Sequence, residues 1–212
     1  MSENEERVIR RCCVFSGSSP GGRPEYRAAA SALGEVLLEE GIGLVYGGAR
    51  VGLMGVTADV VLAGGGEVIG VIPEALQAQG VAHEGLSELR VVDSMHARKH
   101  EMAELADTFV ALPGGLGTFE ELLEVLTWAQ LGDHAKPCAA LDVCGYFQKL
   151  AGLLDQAVSE RFLKPVHRDL LIMASEPRAL LAAIRNAPRV NAGKWLDRGS
   201  QSGLSAPHLS SK

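Results

Sequence analysis

The sequence predicts an α/β fold, a doubly wound parallel sheet with helices on both faces in one domain. Three observations carry this expectation. Short β-branched runs alternate with longer segments of helical period from about residue 10 to residue 188, the pattern of strand–helix–strand units. The 212 residues suffice for one such domain with short tails. Glycine is in excess: 19 of its 25 residues fall between Gly17 and Gly117, with no Gly-X-Y period. They read as tight turns between apolar runs, not as collagen or low-complexity sequence.

The elements follow in order. Cys12 to Phe15 reads as a first strand and 17–22 as a loop. Pro24 to Glu40 reads as a helix, with proline in its first turn and Gly41 at its stop. Ile42 to Tyr46 is a strand ending in Gly47-Gly48, and Leu53 to Ala63 a helix stopped by Gly64-Gly65-Gly66. Glu67 to Ile72 is a strand halted by Pro73, and 74–88 has no strong period. Leu89 to Val92 is a strand, and Asp93 or Ser94 caps a helix to about Leu105. Thr108 to Leu112 is a strand, Thr118 to about Leu131 a helix, and Cys138 to Leu141 a strand. Helices are expected near 145–160 and 177–186. Residues 1–9 read as a tail, and the polar Gly/Ser-rich stretch 189–212 is expected to be disordered.

Composition narrows the function classes. The formal charge of −6 lacks the basic excess of a nucleic-acid binder. No apolar run approaches the ~20 residues of a membrane span, and the start lacks a secretory pattern. Cys12, Cys13, Cys138 and Cys144 contain no CxxC pair. They read as reduced thiols of a cytoplasmic protein.

The glycine-rich loops after Phe15, Tyr46 and Leu112 all follow strands, so a parallel sheet places them on one edge, where ligands bind. The strongest motif is Pro113-Gly114-Gly115-Leu116-Gly117-Thr118-Phe119-Glu120-Glu121. A strand leads in and a helix leads out, a geometry suited to a phosphate. It lacks the Lys-Ser/Thr ending of a P-loop, and the first loop lacks G-x-G-x-x-G. Glu121 has two readings. It is a carboxylate beside the bound anion, or the partner of Thr118 in a capping box.

A second motif is Met95-His96-Ala97-Arg98-Lys99-His100-Glu101-Met102. Met95, Arg98 and Met102 share a helical face, so Arg98 either packs its stem and snorkels or reaches the ligand. His96 and His100 lack a third ligand and do not read as a metal site. A third motif runs from Tyr46 through Gly47, Gly48, Ala49 and Arg50 to Gly55, with Met54 placed to touch a base. Gly17, Ser18 and Ser19 offer donors on the same edge.

Together these segments resemble the Lonely Guy family of cytokinin riboside 5′-monophosphate phosphoribohydrolases, often labelled lysine-decarboxylase-like. The hallmark P-G-G-x-G-T-x-x-E stands unchanged at Pro113 to Glu121, and the resemblance covers roughly residues 10–185. Matching satellites are Val14 to Ser19, Gly52-Leu53-Met54-Gly55, Asp93 to Lys99 and Leu126 to Leu131. The resemblance implies a Rossmann-like fold and hydrolysis of the N-glycosidic bond of AMP and N6-prenylated AMP. The products are the free base and ribose 5-phosphate, and no cofactor or metal is implied. By position, Arg98 and Glu121 match the catalytic pair. Arg98, Lys99, Gly114 to Glu120 and Thr127 match nucleotide-binding positions. The family forms dimers or assemblies of dimers, with the site near the subunit interface.

Two departures bear on substrate choice. The family commonly places glutamate at position 80, where Gly80 stands, with His83 and Glu84 nearby as substitutes. Its third glycine after Tyr-Gly-Gly is Ala49 here, which matters if position 49 needs a positive φ. Two other readings stay open. One is a non-catalytic nucleotide or molybdenum-cofactor carrier. The other is a lysine decarboxylase carrying pyridoxal phosphate, for which Lys99 alone lies in the expected site.

Overall fold

A computed structural model describes residues 7–188. The terminal stretches 1–6 and 189–212, with the disorder expected for the latter, lie outside the described residues. The strands are β1 (Arg11–Phe15), β2 (Gly43–Tyr46), β3 (Val68–Pro73), β4 (Glu88–Val92), β5 (Thr108–Ala111), β6 (Cys138–Leu141) and β7 (Leu171–Ala174). The helices are α1 (Pro24–Glu39), α2 (Gly52–Ala63), α3 (Glu74–Gln77), α4 (Met95–Leu105), α5 (Leu116–Leu131), α6 (Gln148–Ser159), α7 (Pro165–Arg168) and α8 (Pro177–Arg185).

Among the described residues, seven strands form one parallel sheet in the order β4-β3-β2-β1-β5-β6-β7. The chain walks outward from β1 to β4, then restarts on the other side of β1 with β5. Cys12 pairs with Leu44 on one side and Thr108 on the other. The carboxyl ends of β1 and β5 therefore mark the switch point, where connections diverge and leave a crevice.

Side-chain alternation splits the core between two faces. Cys12 and Val14 point into a cluster with α1, α2 and α8, including Leu33, Leu37, Leu53 and Leu180. Cys13 and Phe15 point the other way, onto Met102 of α4 and Val125 of α5. Beyond them, Leu122 of α5 packs with Phe147 and Leu171. All four cysteines are free thiols. The right-handed crossover rule accounts for the placement, because helices of the two outward walks must lie on opposite faces.

Local signals hold at several ends. Pro24 opens α1, and Gly41 takes φ +65° just beyond its end. Ser94 caps α4, its Oγ accepting from the Ala97 N–H at 3.1 Å. Gly132 ends α5 at φ +89°, a left-handed cap.

The structure also differs from the expectation. β7 and the one-turn helices α3 and α7 arise where no element was expected. A 3-10 turn at Val143–Gly145 precedes α6, which starts at Gln148. Helix α5 starts at Leu116, two residues earlier than expected, so part of the glycine motif is its first turn.

Candidate active site

The three glycine loops meet backbone to backbone at the switch point. The Gly17 N–H donates to the Pro113 carbonyl at 3.1 Å, and the Leu53 N–H donates to the Gly17 carbonyl at 3.0 Å. A Cβ on Gly114 would lie 2.7 Å from the Gly17 nitrogen and closer still to Thr118 Oγ1. A Cβ on Gly52 would lie 2.3 Å from the Ser18 carbonyl carbon. These are contacts that no larger residue reaches.

Above this junction stands a buried ion pair. Arg98 Nη1 donates to Glu121 Oε1 at 2.8 Å, and Arg98 Nε donates to the Val71 carbonyl at 3.1 Å. Both side chains are about nine-tenths buried. The guanidinium lies over Gly47, where a Cβ would fall 2.0 Å from Nη2. Arg98 thus joins α4, β3, the loop after β2 and α5. Burial pushes the Glu121 carboxyl above the ordinary glutamate range, and Arg98 offsets part of that rise. Removing one partner of such a pair costs ~3–5 kcal/mol, because the other charge is left buried.

The neighbouring residues on the same two helices form a second pair. Lys99 Nζ donates to Glu120 and to Glu124, the latter at 2.9 Å. Burial works against its charge, but the two carboxylate hydrogen bonds outweigh it and hold the ammonium above its ordinary range. Lys99 is thus kept charged, which is the wrong state for Schiff-base formation.

The first turn of α5 is an open, uncapped helix start. Its leading N–H groups have no acceptor within the helix, and no side chain caps them. A Cβ on Gly115 or Gly117 would meet nothing within 4 Å, so both border open space. Leu116 is 87% exposed, and Glu120 is exposed. Pro113 and Thr118 are buried, whereas Phe119 is half-buried and stacks on Tyr146.

The other expected residues fall into place unevenly. Gly47 and Gly48 are buried, and Met54 Sδ approaches the Cβ position of Gly47 at 3.4 Å. Ser18 is exposed on the rim beside buried Gly17. Met95 does not share the buried surroundings of Arg98 and Met102, and is 46% exposed at the head of α4. Thr127 is exposed and donates its hydroxyl to the Leu123 carbonyl of its own helix at 2.7 Å.

The capping-box reading of Glu121 fails. Gly115 is the cap residue, so Thr118 lies inside the helix and Glu121 turns inward to Arg98. Ala49 has no positive φ; Gly48 and Gly52 take that conformation at +73° and +61°. Alanine is therefore unstrained at 49. His83 is held by Asp59 and by the Glu84 carbonyl, and Glu84 is exposed.

Two residues escaped the sequence reading. The Tyr146 hydroxyl donates to the Gly114 carbonyl and braces the third glycine loop from the segment after β6. Ser16 is 7% exposed at the end of β1, and its Oγ has no hydrogen-bond partner. Tyr146 lies outside every motif, and Ser16 lies within the Val14 to Ser19 segment without being singled out as a site residue. A hydroxyl just before a glycine loop is the only signal that pointed to Ser16. Among the described residues, no group of three or more His, Cys, Asp or Glu is placed to hold a metal ion.

Comparison with known proteins finds clear relatives. The family model described as "Possible lysine decarboxylase" matches residues 54–184. A probable cytokinin riboside 5′-monophosphate phosphoribohydrolase of Oryza sativa subsp. japonica is 50% identical over 83% of this chain and 72% of its own length. A cytokinin riboside 5′-monophosphate phosphoribohydrolase of Arabidopsis thaliana is 49% identical over 85% of this chain and 83% of its own length. Among solved structures, the molybdenum cofactor binding protein from Rippkaea orientalis is 22% identical, with a TM-score of 0.62 over 84% of this chain and 96% of that one. At that identity the likeness shows a shared fold. Sequence identity near one half and the intact hallmark lead to one conclusion: the chain belongs to the cytokinin riboside 5′-monophosphate phosphoribohydrolase family.

Proposed function

We propose that this protein hydrolyses the N-glycosidic bond of adenosine-type nucleoside 5′-monophosphates, AMP and N6-prenylated AMP, releasing the free base and ribose 5-phosphate. The observation that carries the reading is the buried Arg98–Glu121 pair, standing on the same sheet edge as an open glycine-rich helix N-terminus. Relatives named as enzymes of this reaction, at about half identity, support it.

The chemistry follows from the residues. The phosphate rests on the first turn of α5, where N–H groups and the helix dipole favour an anion. Fixing the phosphate positions the ribose by remote binding energy. Breaking the C1′–N bond builds positive charge on the sugar ring. The Glu121 carboxylate stabilises that charge and orients the water whose oxygen bonds to C1′. Arg98 holds Glu121 in place and clamps the nucleotide. The base leaves with the electron pair of the broken bond and takes up a proton, while the attacking water gives one up as its oxygen becomes the C1′ hydroxyl. Lys99, Glu120 and Met54 stand beside this centre as binding residues, and Thr127, farther along α5, is a further binding position that the resemblance implies.

The partner is therefore a small nucleotide rather than a nucleic acid or a membrane. No helix among the described residues is long and apolar enough to cross a membrane. We place the protein in the cytoplasm as a homodimer or an assembly of dimers. Exposed Leu116, Leu123 and Leu131 on α5 and Met95 on α4 supply an apolar face beside the site. The test is incubation with AMP and with N6-isopentenyl-AMP, with free base and ribose 5-phosphate measured together. Equal amounts of the two products support hydrolysis. Nucleotide binding without either product favours a carrier.

A further inference from the structure

The excursion between β3 and β4 leaves the same sheet edge as the site. It makes the one-turn helix α3 and bends at Gly80, φ +71°. It then returns antiparallel to the second glycine loop. The Arg50 N–H donates to the Val81 carbonyl at 3.0 Å, and the His83 N–H donates to the Gly48 carbonyl at 2.8 Å. Ala49 and Ala82 form the bridge between these bonds. The clip therefore grips the stretch just after Gly47, which underlies the Arg98 guanidinium.

The His83 ring ties the clip to the scaffold at residues 79–84; further along the excursion, Leu86 packs against the core and Ser87 Oγ accepts from the Val68 N–H at 3.0 Å. The His83 ring is 11% exposed, with Nε2 3.0 Å from Asp59 Oδ1 of α2 and Nδ1 2.6 Å from the Glu84 carbonyl. Carboxylate and carbonyl both accept, so whichever ring nitrogen carries the proton donates to one of them. Without the ring, residues 79–84 keep only two short backbone bonds to the glycine loop.

Its position along the sheet says what the clip borders. The phosphate cradle stands at the carboxyl end of β5, and the ion pair reaches across to the Val71 carbonyl on β3. A nucleotide with its phosphate on the cradle and its reacting bond at the pair directs its base toward β3 and the clip. We propose that His83 is a positioning residue that fixes residues 79–84 as the base-side wall of the site. The identity of the wall's occupant as a base rests on the proposed phosphoribohydrolase function. The structural part of the proposal does not.

His83→Ala and His83→Gln test it, with two readouts. The first is hydrogen exchange at the Arg50 and His83-position amides. Exchange about tenfold faster in His83→Ala, with Tm within a few degrees of the parent, supports the clip. Unchanged exchange overturns it. The second is steady-state kinetics with N6-isopentenyl-AMP. A KM raised about tenfold with kcat within about twofold, and most of the KM regained in His83→Gln, supports a base-side wall. A fall in kcat at unchanged KM, or no change in either, overturns it. If the parent protein releases no base from any nucleotide, the proposed function fails, and the exchange measurement alone still decides whether His83 holds the clip.

Discussion

Gly47 is empty where Arg98 is full: a Cβ on Gly47 would lie 2.0 Å from Arg98 Nη2. The missing side chain is the room in which the guanidinium reaches both Val71 and Glu121. Gly47→Ala therefore displaces the arginine head more than it disturbs the core. We expect kcat/KM to fall by about tenfold or more, with a stability loss of roughly 1–3 kcal/mol for the overpacking. Urea unfolding beside a base-release assay separates the two effects.

Two neighbouring glycines have opposite duties. Gly114 lies against Gly17 and Thr118, whereas Gly115 borders open space. Gly114→Ala must push apart the first and third loops, so we expect a stability loss of about 1–3 kcal/mol together with weaker substrate binding. Gly115→Ala leaves the fold intact and crowds only the anion, raising KM for AMP with little change in Tm. Paired Tm and KM measurements check the contrast.

The position of Glu121 predicts a pH dependence. Burial raises its carboxyl above the ordinary glutamate range, and Arg98 restores only part of the difference. Stabilising a cationic sugar needs the ionised form. The acid limb of kcat/KM therefore falls off at a higher pH than an ordinary glutamate would dictate. Arg98→Met removes the offsetting charge and moves that limb higher still. The stability sign is opposite. A raised carboxyl favours the protonated fold, so this contribution is present below the ordinary glutamate range and is lost as pH rises through the folded-state value. A pH–rate profile and a pH–stability profile of the parent and Arg98→Met measure both.

Much of this site was legible because it is local. The three strand-to-helix glycine loops each carry their signal within a few residues, and parallel topology alone puts them on one edge. What was not legible depends on contacts distant in sequence. The Val71 carbonyl that holds Arg98 is main chain and leaves no trace in composition. Tyr146 reaches Gly114 only because the turn after β6 folds over the loop. The inward turn of Glu121 depended on where α5 begins, and a start at Leu116 excluded the capping box. Helices α3 and α7 are four residues each, too short for a helical period to register. Strand β7 is only four residues long and partly buried.

The central claim is that Glu121 acts as an ionised carboxylate held by Arg98 and not as a structural cap. Base release from AMP by Glu121→Gln, measured beside the parent protein, tests it most directly. Glutamine keeps the size of the side chain and an oxygen to accept from Arg98 Nη1 but leaves the guanidinium without its counter-charge, so Tm is expected to fall and activity is compared under conditions where both proteins are folded. We predict a fall in kcat/KM of about 100-fold or more, in line with losing the main charge that stabilises the transition state. Full activity in a folded Glu121→Gln protein would contradict the account.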